Sequence, residues 1–516
     1  MQQRVAAWAA VLLALASMGC GTADRCDGGA GCGEAAPTEA DCIEALAAHR
    51  AVDGCGVFVI SSASLESGDG TMASPVTSLA RAIELARAGR RRVFACHRVY
   101  REILTIPSGI DIHGGFDCDS GWQYDADWAR TILQVTWTQA PQTIVPDEGE
   151  RQGLDDGVTT ITDVDFRQIG PFDTVQAGQT AYGLVVESNA AVELIRSDIV
   201  VGHGARGLHG NSTRVDQPER ARNGAPGNPG NDGCSAGTVP GGAPVTTVCD
   251  DGSVSTGGKG GDGHADRGEA GSDGTPLPSP NPDGHGLGGS GANAEEDRCE
   301  RGKPGQDGEP GADGRSGRGP GRMTRAGWVG ESGTDGKAGA PGTAGGGGGA
   351  VGGAAACGAS PKGGPSGGSG GSGGCGGNAG GGGGYGGASI GIVVFAGARA
   401  TLREVAIEPG SGGHGGRGGR GQTRGYGGVG GAGGQLRADG SRACAGGSGG
   451  YGGDGGHGGG GTGGPSIGIA YVAEDQLTLE NVTIELGAPG EGGLTDKLDG
   501  DKGDDGFVAE TYRFSP

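Results

Sequence analysis

The apolar positions of this chain fall into one short pattern that occurs three times at unequal intervals. Tyr182-Gly183-Leu184-Val185-Val186 opens the first copy, Ser389-Ile390-Gly391-Ile392-Val393 the second and Ser466-Ile467-Gly468-Ile469-Ala470 the third. Nine residues after each glycine stands Val192, Ala400 or Leu477, and two further on Leu194, Leu402 or Leu479. Sixteen residues after each glycine stands Ile199, Ile407 or Ile484. A constant internal phase at unequal spacing marks a repeat. The alternation predicts two short strands per copy with a tight bend between them. Leu194, Leu402 and Leu479 should form one inward column, with Gly183, Gly391 and Gly468 in register on adjacent units. Ile161-Thr162-Asp163-Val164-Asp165-Phe166 reads as a fourth relative. One unit cannot bury its apolar side alone, but stacked units can. The long chain between copies must leave the stack and return to nearly the same point, at a closure cost that grows only with the logarithm of length.

Upstream, Val57-Phe58-Val59-Ile60 predicts a strand. Leu79, Ala82, Ile83 and Ala86 fall at helical spacing, with Gly89 placed to end the helix in a left-handed conformation. Arg91 to Cys96 returns to strand, and Tyr100, Leu104, Ile106, Ile110 and Ile112 continue as short alternating strands up to Gly114-Gly115-Phe116-Asp117. This order over about 57–135, followed by the three repeats, resembles the capped start of right-handed parallel β-helix proteins of the pectin-lyase-like superfamily. The resemblance implies an all-β fold, a right-handed parallel β-helix with an N-terminal helical cap and long glycine-rich inserts. The expected organisation is a signal peptide at 1–20, a Cys-bearing tether at 21–56 with a short helix near Ile43 to His49, and cap and first coils at 57–202. Coils follow at 388–409 and 465–486, inserts at 203–387 and 410–464, and a C-terminal tail at 487–516.

Composition narrows this further. Glycine supplies 125 of 516 residues, hydrophobic residues 34% and aromatics 4%, which argues against a packed core along the whole length, and one discontinuous core is expected. Glycine recurs at every third position in three stretches, Gly224 to Gly233, Gly302 to Gly317 and Gly327 to Gly345. Such triplets fit a collagen-like trimer. They also fit isolated threefold extended chains, packed as polyglycine-type strands or left loose. The runs are short, offset and interrupted, which favours the second reading. Gly380 to Gly384 and the Gly-Gly-X runs around 412–464 resemble the PGRS type of glycine-rich repeat.

The N-terminus predicts export. Arg4 and the apolar run Ala6 to Ala16 lead into Ser17-Met18-Gly19-Cys20, which resembles a bacterial lipobox with Ser17 in place of the usual leucine. Ala14-Leu15-Ala16 offers an ordinary cleavage site instead. Thirteen cysteines are an odd number for an exported chain, and a lipid on Cys20 leaves an even set. Gly21 after the cysteine implies, by the sorting rules of such lipoproteins, the outer membrane. The other cysteines, Cys26, Cys32, Cys42, Cys55, Cys96, Cys118, Cys234, Cys249, Cys299, Cys357, Cys375 and Cys444, are then disulfide candidates. Cys96 and Cys118 lie about one coil apart. Cys234 with Cys249 and Cys357 with Cys375 are local candidates, which would leave Cys299 to Cys444, and spacing does not settle the connectivity. A net charge of −22 disfavours nucleic acid and anionic lipid surfaces.

Catalytic chemistry has a poor case. Asp163 and Asp165 should point outward, with Asp198, Glu404 and Asn481 near equivalent points of later repeats. They read either as a carboxylate ladder, of the kind polysaccharide lyases and hydrolases carry on β-helices, or as an ordinary solvated strand face without a basic partner. Gly260-Gly261-Asp262-Gly263-His264-Ala265-Asp266 puts Asp266 one place late for a calcium nonapeptide. His203 with His209, or His414 with His457, could gather, but nothing gives metal-ligand spacing. No catalytic residue, metal site or cofactor is therefore assigned. The expected function is that of a non-enzymatic structural or adhesive lipoprotein of the bacterial cell envelope, held to the membrane through Cys20, with a cell-surface glycan or protein as partner. The alternatives are a carbohydrate-binding or carbohydrate-cleaving β-helix protein and a collagen-like trimeric surface protein.

Overall fold

The computed structural model describes residues 36–61, 68–136, 141–147, 157–169, 176–212, 219–293, 298–353, 357, 361–436, 441–496 and 501–515. The expected signal peptide, Cys20, Cys26 and Cys32 lie outside these residues. The three repeats form strand pairs Ala181–Val186 with Ala191–Val200, Ser389–Val394 with Arg399–Glu408, and Ser466–Tyr471 with Leu477–Glu480 and Thr483–Ile484. Each strand pairs in parallel with its counterpart in the next repeat. The opening strands lie in a 6-stranded sheet and the closing strands in a 12-stranded one. The sheets curl into a half-barrel around one core.

The repeat phase has a packing cause. Tyr182 pairs with Ile390 and Ile390 with Ile467, which puts Gly183, Gly391 and Gly468 in register. A Cβ on Gly183 would meet Ile199 Cγ2 at 2.5 Å, one on Gly391 would meet Ile407 Cγ2 at 2.3 Å, and one on Gly468 would meet Ile484 Cγ2 at 2.7 Å. Each glycine thus makes room for the isoleucine sixteen residues later, across the width of its own unit. Leu194 pairs with Leu402 and Leu402 with Leu479, as expected. The column is buried at Leu194 and Leu402 but not at Leu479, which is 42% exposed because it stands on the last closing strand.

At the other end, the helix Leu79–Ala88 lies on the strands Val57–Val59 and Arg92–Cys96 and buries Leu79, Ala82, Ile83 and Ala86 in the main core. Ser78 caps it, and the Glu102 carboxylate accepts from the N–H groups of Leu79 and Ala80. Gly89 is not left-handed (φ −120°); the chain reverses at Arg91, with φ +58°. The tether helix spans Glu39–Ala47.

The glycine runs are packed, not loose. Segment 363–387 lies at their centre. A threefold chain presents three N–H and three C=O groups per turn, in six directions. Here Ser369 donates to Asn228, Gly370 to Gly258 and Gly371 to Gly447. Gly367, Ser369 and Gly371 accept from Gly242, Gly431 and Gly345. Backbone bonds thus reach six neighbouring segments. A side chain has no place between them: a Cβ on Gly370 would meet the Gly345 carbonyl oxygen at 1.9 Å. Peripheral segments need fewer glycines. Residues 302–317 touch the lattice with one glycine per triplet, through bonds such as Gly305 to Ser448, and carry Lys, Pro, Asp and Glu between them. Most triplets of segment 363–387 instead hold two glycines, and Ser366, Ser369 and Ser372 cap the N–H groups of Asn231, Asn228 and Ala225 at 2.7–2.8 Å.

Lattice and sheets share one register. Outgoing segments follow the closing strands and returning segments precede the opening ones. A hydrogen-bond row crosses all of them at the junction: Gly387 donates to Ala205, Gly413 to Gly387, Gly464 to Gly413, Gly490 to Gly464 and Gly506 to Gly490. Residues 487–516 are therefore no free tail. Their first part completes the lattice, and Val508–Arg513 adds a strand beside Ser466–Tyr471. Within the long insert, the hairpin Arg322–Thr324 and Gly327–Val329 lays Met323 and Trp328 on the outer face of the 6-stranded sheet, against residues that include Val185, Ile390 and Val393.

Candidate functional site

One backbone feature recurs along the 12-stranded sheet. Asp163, Arg196, Glu404 and Asn481 all have left-handed backbones, with φ of +57°, +51°, +55° and +54°. The register of Thr162 with Ile195, Ile195 with Arg403 and Arg403 with Glu480 makes them one column. Such φ values are uncommon for residues other than glycine, with Asn and Asp the most tolerant. Here they bend the chain between two faces. The first half of Ala191–Val200 pairs with Val158–Thr162 and the second with Val164–Ile169.

The acids do not form a solvated face. Asp163 and Asp165 are only 2% and 4% exposed, because Tyr124 and the Arg130 side chain close over them. Asp198 belongs to the column of Asp165, since Phe166 pairs with Ile199. Arg196 takes the place beside Asp163. Glu404 and Asn481 follow it along the sheet but are exposed to solvent. The expected lack of a basic partner is overturned by three arginines. Arg196 donates to Asp163 through Nε at 2.8 Å and Nη2 at 2.7 Å, and the Tyr124 hydroxyl donates to Asp163 at 2.8 Å. Arg130 bridges Asp165 at 3.3 Å and Asp198 at 3.2 Å, while Arg167 approaches Asp165 at 3.6 Å. The N–H of Asp198 donates to Asp165 at 3.0 Å.

Electrostatics separate the two buried acids. Burial raises the Asp165 carboxyl above the usual range, against the pull of the Asp198 N–H and the Arg130 guanidinium. Burial and the hydrogen bond to Asp163 push the Tyr124 phenol up to about 12. The bond to Asp163 holds Arg196 firmly in its charged form. Asp163, with three donors on its oxygens, is a structural anchor of the kink. Asp165 and Asp198, bridged by one arginine, are the pair open to chemistry. They line a groove of about 550 Å³ together with Arg130, Arg167 and the indole of Trp128, which is 89% exposed. An exposed aromatic ring beside carboxylates and guanidinium groups suits a polar, hydroxyl-rich ligand, which offers both donors and an apolar ring face.

Tyr124, Trp128, Arg130 and Arg196 escaped the sequence reading. Arg196 could have been found: aligning Ile161 with Leu194 places it opposite Asp163. Nothing marks Tyr124, on the short strand Gln123–Tyr124, or Trp128 and Arg130 in the turn after it, and they reach the acids only through the fold.

The disulfides follow the spacing in part. Cys96 pairs with Cys118, Cys299 with Cys444, and Cys42 with Cys55. The two local pairs are corrected to Cys234 with Cys357 and Cys249 with Cys375. The lattice sets segments distant in sequence side by side, as the Cys375 N–H to Arg222 bond shows, so the nearest sulfur is not the nearest in sequence. The histidines serve the lattice edge. Nδ1 of His203, His209 and His414 accepts the N–H of Ser411, Arg417 and Glu491. His457 does the same for Gly421. Asp262, of the expected non-calcium segment, accepts from Gly241 and pairs with Lys259. Among the described residues no group of three or more His, Cys, Asp or Glu is placed to hold a metal ion, and no helix is long and apolar enough to cross a membrane.

The chain matches no protein-family model, and no curated protein or solved structure matches it.

Proposed function

We propose that this chain is a non-enzymatic structural or adhesive lipoprotein of the bacterial envelope, anchored in the outer membrane through Cys20 and built on a right-handed parallel β-helix. The observation that carries this reading is the backbone hydrogen-bond row from Ala205 through Gly387, Gly413, Gly464 and Gly490 to Gly506. It makes the glycine segments a rigid extension of the sheets. On the outer segments only glycine faces inward, so the remaining positions of each triplet are free to carry any side chain. That arrangement suits a display platform. The five disulfides among the described residues are consistent with an exported protein. The glycine N–H groups of 224–233, 302–317 and 333–345 are all donated within the chain, which weighs against a collagen-like trimer. Fractionation of cells tests the anchor: Cys20→Ala should move the protein from membranes to the soluble fraction. A wild-type protein that is already soluble, with an N-terminus at Ser17, would exclude it.

A second reading, a carbohydrate-binding or carbohydrate-cleaving protein, has one specific support, the groove at Asp165, Asp198, Arg130 and Trp128. A glycan array with wild type and Trp128→Ala tests it. Glycan retention lost in the variant supports a binding groove, and bond cleavage lost in Asp165→Asn supports an enzyme. Equal signals for wild type and both variants remove this reading.

A further inference from the structure

Segments 410–435 and 443–464 run side by side and leave a groove between them, and one end of that groove is filled. Gly412, Gly415 and Gly418 donate to the carbonyls of Ala488, Glu491 and Leu494 at 2.8–3.0 Å. In return Gly490 and Gly493 donate to Gly464 and Gly461. Residues 487–494 thus lie in the groove as one more threefold chain. Their donors must be glycine: a Cβ on Gly490 would meet the Gly413 oxygen at 2.0 Å, and one on Gly493 the Gly416 oxygen at 1.8 Å.

Past Leu494 the same row of donors continues with no further chain laid against it among the described residues. Side chains satisfy the next two. The N–H of Gly421 donates to His457 Nδ1 at 3.3 Å and that of Arg424 to Asp454 Oδ1 at 2.9 Å. Tyr426 and Tyr451 then meet edge to face across the groove at 5.6 Å, with Arg220 over one ring at 4.1 Å and Arg424 over the other at 5.2 Å. Beyond this closure the groove is open. The N–H groups of Gly427, Gly430 and Gly433 and the C=O groups of Gly446 and Gly449 have no hydrogen-bond partner among the described residues, and all five residues are half-buried. The bond from Gly449 to Gly428 sets Val429 level with Ser448, where no ring crosses.

We propose that this open stretch docks a second polypeptide in threefold extended form, with glycine at every third position, laid parallel to 410–435. Its carbonyls at three-residue intervals would accept from Gly427, Gly430 and Gly433, and its glycine N–H groups would donate to Gly449 and Gly446. Residues 487–494 show this geometry in the same groove. A β-strand does not fit, because its two-residue repeat of about 6.7 Å falls out of step with donors about 9.3 Å apart. This partner class deepens the adhesive reading without depending on the membrane anchor, so a soluble wild-type protein would leave it intact.

The test uses the chain with its disulfides formed and a fluorescent peptide Gly-Ala-Pro-Gly-Glu-Gly-Gly-Leu, with a control in which alanine replaces the glycines equivalent to 490 and 493. Fluorescence anisotropy should show saturable binding of the first peptide and at least tenfold weaker binding of the control. The double variant Val429→Tyr, Ser448→Tyr copies the closure at Tyr426 and Tyr451. It should melt like the wild type and bind at least tenfold more weakly. Equal binding of both peptides, no binding at millimolar concentration, or full binding by the double variant would each overturn the proposal.

Discussion

Replacing Gly370 by alanine separates a close-packed glycine lattice from ordered but loose chain. At an unstrained position, Gly→Ala stabilises a protein by about 0.4–1 kcal/mol, because the unfolded chain loses freedom. Gly370 does not have a left-handed backbone, so that gain is available. Its environment reverses the sign. The new Cβ would lie 1.9 Å from the Gly345 carbonyl oxygen, 2.5 Å from the carbon it is bonded to, and 2.9 Å from the Gly346 oxygen. The obstacle is backbone held by neighbours on several sides, so relief requires segments to part by more than an ångström. Overpacking of this kind costs about 1–3 kcal/mol, and the hydrogen bond from Gly370 to Gly258 adds about 1 kcal/mol if it breaks. The net expectation is a loss of about 2–3 kcal/mol. Gly237→Ala is the control, since its Cβ meets nothing within 4 Å and its backbone is not left-handed. That variant should match or slightly exceed wild-type stability. Urea midpoints followed by circular dichroism provide the comparison, with disulfides intact in all three proteins. Indistinguishable midpoints for the two variants would refute close packing at segment 363–387.

Three further outcomes follow from the fold. Leu402→Asp places a charge at a fully buried site between Leu194 and Leu479, and should lower stability by more than about 4 kcal/mol, read as loss of the cooperative melt of the C-terminal repeats. Trp328→Ala should cost about 3–5 kcal/mol and raise dye binding, because it uncovers Val185, Ile390 and Val393. Burial, aided by Arg92, pushes the His113 imidazole down from 6.5 to about 4. The folded state therefore binds fewer protons than the unfolded one between these values, so this contribution is intact above pH 6.5 and is lost as pH falls toward 4. The raised carboxyls of Asp111 and Asp165 act in the opposite sense, so the comparison is with His113→Leu. Between pH 7 and pH 4 the wild type should lose up to about 3 kcal/mol more than that variant, and parallel pH profiles would remove the effect from His113.

The sequence carried the stack because its signal is local. A glycine and an isoleucine sixteen residues apart face each other within one unit, so the phase is written in each copy separately. The Leu194, Leu402 and Leu479 column followed from that phase, and only its exposed end depended on where the stack stops. The lattice was half legible. Glycine at every third position announces a threefold chain, and the number of glycines per triplet tracks how many neighbours a segment has. Which segments become neighbours is a nonlocal matter decided by backbone groups identical in every glycine. For that reason Cys234 and Cys249 reach Cys357 and Cys375 instead of each other. The long insert also packs on the sheets through Trp328, which no local pattern announces. The candidate groove was least legible. Asp163 and Asp165 alternate as surface residues do, and only the approach of Tyr124, Arg130 and Arg196 buries them.

Amide hydrogen exchange on the chain with its disulfides formed tests the central claim most directly, that the glycine segments are one ordered, hydrogen-bonded body with the sheets. Peptides covering 366–383 and 446–464 should be protected as strongly as those covering Ala191–Val200 and Arg399–Glu408, and lose protection together with them as urea rises. Exchange of the glycine segments at the rate of unstructured chain, while those strands stay protected, would contradict it.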